Sequence, residues 1–279
     1  MKLCVFSSIC IDKNHCLRSS IRSFHPWGEW ESWTVEAHLF TNCASKLPEN
    51  CLKGWTVHEI PEEAKGLYAR KMARYIKLNP EKVLPSCDWS LWLDSNFVPK
   101  IHPAKFLCQK LLKKKPNVKF FCIPSNSFKC VYKEILHGKA HKLDPNPKSF
   151  DRQLYHTKKV GVPRNWLAVQ TGILYRQHHV LEEFNKLWWN ELNAFTVRDQ
   201  FSVISALWQM KISVASFRIR EAFKILRKKG NHSYNAKRQS KKKDKKKDKK
   251  EMKSKMKSKL NKMAISKKIL GKIFRKIRR

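Results

Sequence analysis

Glycine is scarce in this chain, at 8 of 279 residues. No G-x-x-x-x-G-K and no G-x-G-x-x-G occurs, which argues against a P-loop and against a standard dinucleotide-binding turn. G-x-S-x-G and H-E-x-x-H are also absent, so a nucleophile-elbow hydrolase and a zincin protease rank low. No apolar run approaches the ~18 residues of a membrane span. The amino-terminal MKLCVFSSIC turns polar too soon for a secretory signal and reads as a first buried strand. The nine cysteines (4, 10, 16, 43, 51, 87, 108, 122 and 130) form no C-x-x-C pair. Their number is odd and their spacing does not suit zinc, so free thiols in a reducing compartment are expected.

Acidic residues are few: 22 stand against 60 Lys and Arg, a net charge of +38. Residues 230–279 hold 22 basic and 3 acidic side chains, so half of the net charge (+19) sits in the last fifth of the chain. The rest still carries +19, which suits an anionic ligand such as a nucleotide diphosphate, a phosphorylated lipid or a nucleic acid. With 42% apolar residues, 15 Phe and 10 Trp, a substantial core can form and a wholly disordered chain is excluded.

Hydrophobic periodicity organises residues 1–226 as one α/β domain. Strands are expected at Lys2–Ser7, Trp33–Phe40, Gly54–Ile60, Trp89–Leu93, Val118–Ile123 and Gly172–Tyr175. Helices are expected at Glu62–Leu78, Pro103–Lys114, Phe128–Leu136, Phe150–Lys159, Val180–Asn193 and Val197–Met210. Such alternation gives a mostly parallel sheet with helices on both faces, and ligands sit beyond the carboxyl ends of its strands. Residues 227–262 are a Lys-rich linker expected to be disordered by self-repulsion. In 263–279 an apolar stripe (Ile265, Ile269, Leu270, Ile273, Phe274, Ile277) opposes Lys and Arg, the pattern of a basic amphipathic helix for an anionic membrane surface or a polyanion.

The sharpest local signal is Trp92-Leu93-Asp94-Ser95-Asn96. An acid at a strand end with a second oxygen ligand two residues on resembles the D-x-D element of nucleotide-sugar glycosyltransferases. A hard divalent cation, Mn²⁺ or Mg²⁺, needs oxygen ligands and bridges a diphosphate; Asp94 and Asn96 are the candidates to hold it. The same residues also read as a turn with side chain to backbone hydrogen bonds. Arg70, Arg74 and Lys77 recur at i, i+4 and i+7, one helix face that can meet a diphosphate or simply face water. Trp188 and Trp189 are adjacent on a helix, so both cannot face the core, and one can wall a sugar pocket. Arg198 offers a planar fork to phosphate. Asp199 and Glu191 are candidate bases for an acceptor hydroxyl; Thr196-Val197-Arg198-Asp199 reads equally as a capping box. His178 and His179 read as surface or capping residues before metal or phosphate contacts.

The order of these signals carries more than any one of them. Leu39-Phe40-Thr41-Asn42, Gly54-Trp55, Arg70-x3-Arg74-Tyr75-Ile76-Lys77, Trp92-Leu93-Asp94, Gly172-Ile173-Leu174-Tyr175-Arg176, Trp188-Trp189-x-Glu191 and Arg198-Asp199-Gln200-Phe201-Ser202 follow one another. Over residues 2–215 this series resembles the glycosyltransferase-like domain of the plant mucilage-related and turgor-regulation-defect proteins, once a domain of unknown function with bacterial and viral relatives. The chain departs from that pattern at Leu78-Asn79-Pro80-Glu81, where relatives carry Pro-His, and at Asn42, where they carry an acid.

The resemblance implies a GT-A-like nucleotide-diphospho-sugar transferase fold and sugar transfer to a glycan, lipid or protein acceptor. It implies Asp94 at the donor and metal site, and Arg198 and Asp199 in the cleft. Arg70, Arg74 and Lys77 are candidate donor contacts, and Trp188, Trp189 and Gln200 candidate substrate contacts. A cytoplasmic or virus-encoded enzyme, peripheral on a membrane through its basic end, fits the absence of a leader. Two other functions stay open: a polyanion or nucleic-acid binder using residues 230–279, and, ranked lower, a lipid amide hydrolase, an activity ascribed within the related family.

Overall fold

The computed structural model describes residues 1–12, 23–84, 86–125 and 127–225. The expected Lys-rich linker (227–262) and amphipathic helix (263–279) lie outside the described residues. Strand β1 (Lys2–Ile9) has an almost continuous buried run, and all five residues of β5 (Trp89–Leu93) are buried. Such two-sided burial is what a central strand with helices on both faces requires. β1 pairs in parallel with β3 (Trp33–Thr41) on one side and with β5 on the other. The short strands β2 (Glu29–Trp30) and β4 (Thr56–His58) both pair with β3.

Beyond β5 the sheet changes character. β8 (Val169–Gln177) lies antiparallel between β5 and β7 (Phe120–Pro124), and β9 (Val214–Ser216) adds in parallel to β7. The order β2-β3-β1-β5-β8-β7-β9 is therefore a mixed, mostly parallel sheet, as the helix–strand alternation implies. The antiparallel β8 has no counterpart in the sequence expectation, because periodicity does not report strand direction. A separate ribbon joins β6 (Phe97–Pro99) to β10 (Phe223–Ile225).

Helices cover both faces. One carries α2 to α4 (Glu62–Lys65, Ala69–Leu78, Pro80–Val83), whereas α1 (Glu49–Leu52) packs beneath Leu39 on the other. α5 (Pro103–Phe106) continues as a π-helical stretch, Leu107–Leu112. α6 (Val131–Ala140), α7 (Lys148–Lys159), α8 (Glu182–Ala194) and α9 (Asp199–Gln209) complete the set. Cys4, Phe6 and Trp92 of the sheet pack with Tyr75 and Ile76 of α3, Trp188 of α8 and Phe201 of α9. The opposite face buries Val5, Leu91, Phe106, Phe121 and Tyr175.

The expected helix 62–78 is interrupted. Gly66 ends α2, and Tyr68 is extended (φ −69°, ψ 156°) before α3 begins. Asp12 stabilises the restart: its Oδ1 accepts the Ala69 N–H at 2.7 Å. The strand expected at 54–60 shrinks to Thr56–His58. Gly54 turns the chain with φ +81°, and a Cβ there would stand 1.9 Å from the Phe24 carbonyl oxygen. Gly54→Ala combines left-handed strain with that overlap. It is expected to cost more than ~1 kcal/mol, read as a lowered melting temperature with an unchanged far-ultraviolet spectrum.

Candidate active site

Asp94 leaves the carboxyl end of β5, where β1 and β5 run side by side in the same direction and the strand order reverses, the place such sheets reserve for ligands. Its backbone is held on both sides. The Asp94 N–H donates to Gly172 O at 2.8 Å, and Ser7 Oγ donates to Leu93 O at 2.7 Å. A tight turn then follows, closed by Phe97 N–H on Asp94 O at 2.9 Å. The turn expected at Asp94-Ser95-Asn96 thus forms, closed by a backbone hydrogen bond, and the acid still projects: its side chain is 39% exposed. The Trp92 indole N–H donates to Asp94 Oδ1 at 2.8 Å. Oδ2 faces Gly172, where a Cβ would come within 3.3 Å of it and within 2.6 Å of the Phe97 ring. Gly inside a strand marks such a close approach.

Lys77, near the carboxyl end of α3, is fully buried. Its ammonium stands 2.5 Å from Asp199 Oδ2, 3.8 Å from Asp94 Oδ1 and 5.4 Å from the Trp92 ring centre. Asp199 opens α9, where a carboxylate also meets the positive end of the helix dipole. Its Oδ1 pairs with Arg74 Nε at 2.9 Å, and its Oδ2 accepts the Thr171 hydroxyl at 2.7 Å. Burial by itself would raise the Asp199 pKa. Arg74 and Lys77, with the hydrogen bonds from Lys77 and Thr171, outweigh it and hold the group well below the usual carboxylate range. Burial lowers the Lys77 pKa, opposed by Asp199 and Asp94.

The i, i+4, i+7 face of α3 therefore turns inward to the cluster rather than to water. Arg70 reaches the Leu143 carbonyl at 3.5 Å. Arg198 is partly buried beside Asp199, Arg74 and Arg70, and donates to Gln200 Oε1 at 2.9 Å. Its Nε is buried with no hydrogen-bond partner. Burial lowers its pKa, Asp199 opposes that, and the neighbouring guanidiniums reinforce it. Guanidiniums gathered at one strand end make a cationic rim.

Other expected residues are placed elsewhere. Trp188 is fully buried against Phe120 and Phe184, and its N–H donates to Asp199 O and Ser202 Oγ, both at 3.1 Å. It is a core residue that pins the start of α9 and does not wall a sugar pocket. Trp189 packs edge-on against Tyr75, centroids 5.3 Å apart. Glu191 is not brought to Asp94; its Oε1 accepts from His156 at 2.9 Å and from Gln209. Gln209 lies ten residues beyond Asp199 on α9, about 15 Å along the axis. The capping box does not form: Arg198 is the N-cap, Thr196 Oγ1 accepts the Arg198 N–H, and the Asp199 carboxylate is spent on cations. His178 is buried rather than at the surface.

Sequence reasoning missed Thr171 and Glu134. The interior glycine of β8 was the available signal for the first. Glu134 of α6 gave none. It is buried with Oε2 unpartnered, and burial raises its pKa to about 7 against the lowering influence of Arg198.

Comparison with known proteins adds the following. The sequence family described as TOD1/MUCI70, glycosyltransferase-like domain, matches residues 55–232. A search of curated proteins gives no match. Among solved structures, mouse xyloside xylosyltransferase 1 in its apo form is similar at TM-score 0.47 and 11% identity, over 78% of this chain and 86% of that one. Galactosyltransferase LgtC with donor and acceptor sugar analogues is similar at TM-score 0.41 and 13% identity, over 79% and 74%. The bifunctional glycosyltransferase WbbM gives 0.46 and 12%, over 78% and 38%.

Two outcomes follow from the geometry. Lys77→Met leaves Asp199 buried with one cation fewer, and a loss of about 3–5 kcal/mol is expected in denaturant unfolding. Adding Asp199→Asn to that variant is expected to restore part of the loss, the signature of a coupled pair. Glu134 bears on pH. An acid whose folded pKa is raised holds its proton in the folded chain after the unfolded chain has released it, so stability falls as pH rises from about 4.3 to its folded value of about 7. Glu134→Gln removes that fall, and its melting temperature relative to the parent is expected to be higher at pH 8 than at pH 5.

Proposed function

The chain belongs to the TOD1/MUCI70 glycosyltransferase-like domain family, and from that premise we propose that it moves a sugar from a nucleotide-diphosphate sugar onto a hydroxyl of a glycan, lipid or protein acceptor, on a GT-A-like fold. The observation that carries this reading is the ion-pair chain Arg74–Asp199–Lys77–Asp94, set at the carboxyl end of β5. Its two cations and two acids cancel, and with Arg70 and Arg198 beside it the strand end keeps a net positive charge where a diphosphate leaves as the glycosidic bond breaks.

The roles divide by geometry. Arg70, Arg74 and Arg198 supply counter-charge to the diphosphate, Arg198 through a guanidinium whose Nε lacks a partner. Fixed cations aimed at a developing anion stabilise the transition state without reorganisation. Lys77 joins the two acids and sets the Asp94 rotamer together with the Trp92 indole. Asp199 has both oxygens committed and a depressed pKa, which makes it a poor proton acceptor. We assign it to positioning Arg74 and Lys77 in place of the base role expected for it. Glu191 is proposed to brace α8 against α7 and α9 through His156 and Gln209. Gln200 orients Arg198.

The donor set also suits a divalent ion. Asp94 Oδ2 and the Asn96 amide oxygen two residues on are hard ligands at a partly exposed turn. Mg²⁺ and Mn²⁺ commonly take one or two carboxylates and leave the remaining positions to substrate phosphates. Bound there, the ion would add charge neutralisation at the diphosphate.

The test is thermal denaturation with nucleotide-sugar donors, with and without Mn²⁺. A donor at a hundred times its Kd is expected to add about 2.7 kcal/mol of stability. Asp94→Asn is expected to remove the metal-dependent part of the shift and all turnover. A full donor shift and full turnover in that variant would overturn the assignment of Asp94.

A further inference from the structure

Cys4, Glu36 and His38 place one ligand atom each within 4.8 Å of one another. The sheet register puts them there: Cys4 on β1 lies opposite Glu36 on β3, and His38 follows two residues on, so all three side chains leave the same face. Asp94 would be level with Ser8 of β1, four residues beyond Cys4, so the two places are about 13 Å apart along the strands.

The surroundings of this cluster point to a ligand. His38 is 4% exposed, and its Nε2 is buried with no hydrogen-bond partner. Its Nδ1 meets His58 Nε2 at 3.0 Å. When Nδ1 donates that hydrogen, the Nε2 lone pair is directed toward the cluster, the orientation that a metal-bound imidazole takes from its outer partner. Cys87, buried just before β5, lies against Cys4 and also interacts with His178, another buried imidazole with an unpartnered nitrogen. Glu36 Oε1 is held by Lys2 at 2.9 Å, and its Oε2 stands 3.4 Å from His38 Nε2.

We propose that Cys4, Cys87, His38 and Glu36 form a binding site for a zinc-class cation, distinct from the cleft at Asp94. Two thiolates and an imidazole are soft and borderline ligands that favour Zn²⁺ over Mg²⁺ or Ca²⁺. Ligand atoms around a tetrahedral zinc stand about 3.3–3.8 Å apart, so Cys4, Glu36 and His38, already within 4.8 Å of one another, need about an ångström of closure, and Cys87, outside that group but against Cys4, completes the set by a rotation of its side chain. Each thiol gives its proton to solvent as the ion binds. Lys2 offsets the surplus negative charge of two thiolates and a carboxylate around one divalent ion. The ligands join the ends of β1, β3 and the lead into β5, so the ion would fasten the amino ends of the central strands. The spacing argument against zinc fails here because the ligands are gathered by strand pairing and not by a local loop.

The test uses the full chain purified with zinc and measured for metal content. One equivalent is expected, retained in Asp94→Asn and lost in Cys4→Ser. His58→Ala, which removes the outer partner of His38 and leaves all four proposed ligands in place, is expected to bind zinc about 10–100-fold more weakly. Replacement of zinc by Co²⁺ in the unaltered protein gives a reading that needs no variant: a thiolate-to-cobalt charge-transfer band with tetrahedral d–d intensity. Substoichiometric zinc together with no such band would overturn the proposal. So would zinc content unchanged in Cys4→Ser and in His38→Gln, or a Cys4–Cys87 disulfide in metal-free protein as isolated.

Discussion

A carboxylate stripped of water has to be matched by positive charge, and Asp199 sets this condition for half of the molecule. Its partners come from α3, and its hydroxyl donor from β8. Trp188 of α8 holds its backbone carbonyl. Once Asp199 is buried, Arg74 and Lys77 must arrive from the first half of the chain. The docking of α3 against α9 is thereby fixed, and Lys77 is left facing Asp94. Removing one member strands the others in a medium that does not solvate them, so the cluster behaves as a unit.

The sheet supplies the other constraint. β1 and β5 are buried on both faces, and a slip of one residue would carry large side chains such as Phe6 and Trp92 from one packed face into the other. This register carries Asp94 to the strand end and brings Ser7 level with Leu93. A β-strand fixes direction better than a loop does, which is why an acid at a strand terminus can be both exposed and well oriented.

Much of this was legible in the sequence, for definable reasons. Buried strands such as Trp89–Leu93 announce themselves by composition, and Asp94 by its place at the end. The spacing of Arg70, Arg74 and Lys77 gave a common face, although not its direction. That direction depends on a partner 122 residues away, and no local pattern encodes it. The adjacent tryptophans divide as helix geometry requires, Trp188 in the core and the partly exposed Trp189 edge-on to Tyr75, but their spacing does not tell which of the two turns inward. Thr196 and Asp199 matched a capping box by spacing, yet two nearby cations compete more strongly for the carboxylate than a backbone N–H does. The Cys4, Glu36 and His38 grouping follows from parallel pairing of β1 with β3, which spacing along the chain does not reveal.

The main chain at Asp94 is clamped between Gly172 on one strand and, through Leu93, Ser7 on another. A wall so fixed cannot yield to guests of different size. The segment before α9 is held as firmly, for Asp144 Oδ2 accepts the Val197 N–H and Thr196 Oγ1 that of Arg198. Two homologues built on this frame would then differ through the side chains they mount on it and not through the path of the main chain.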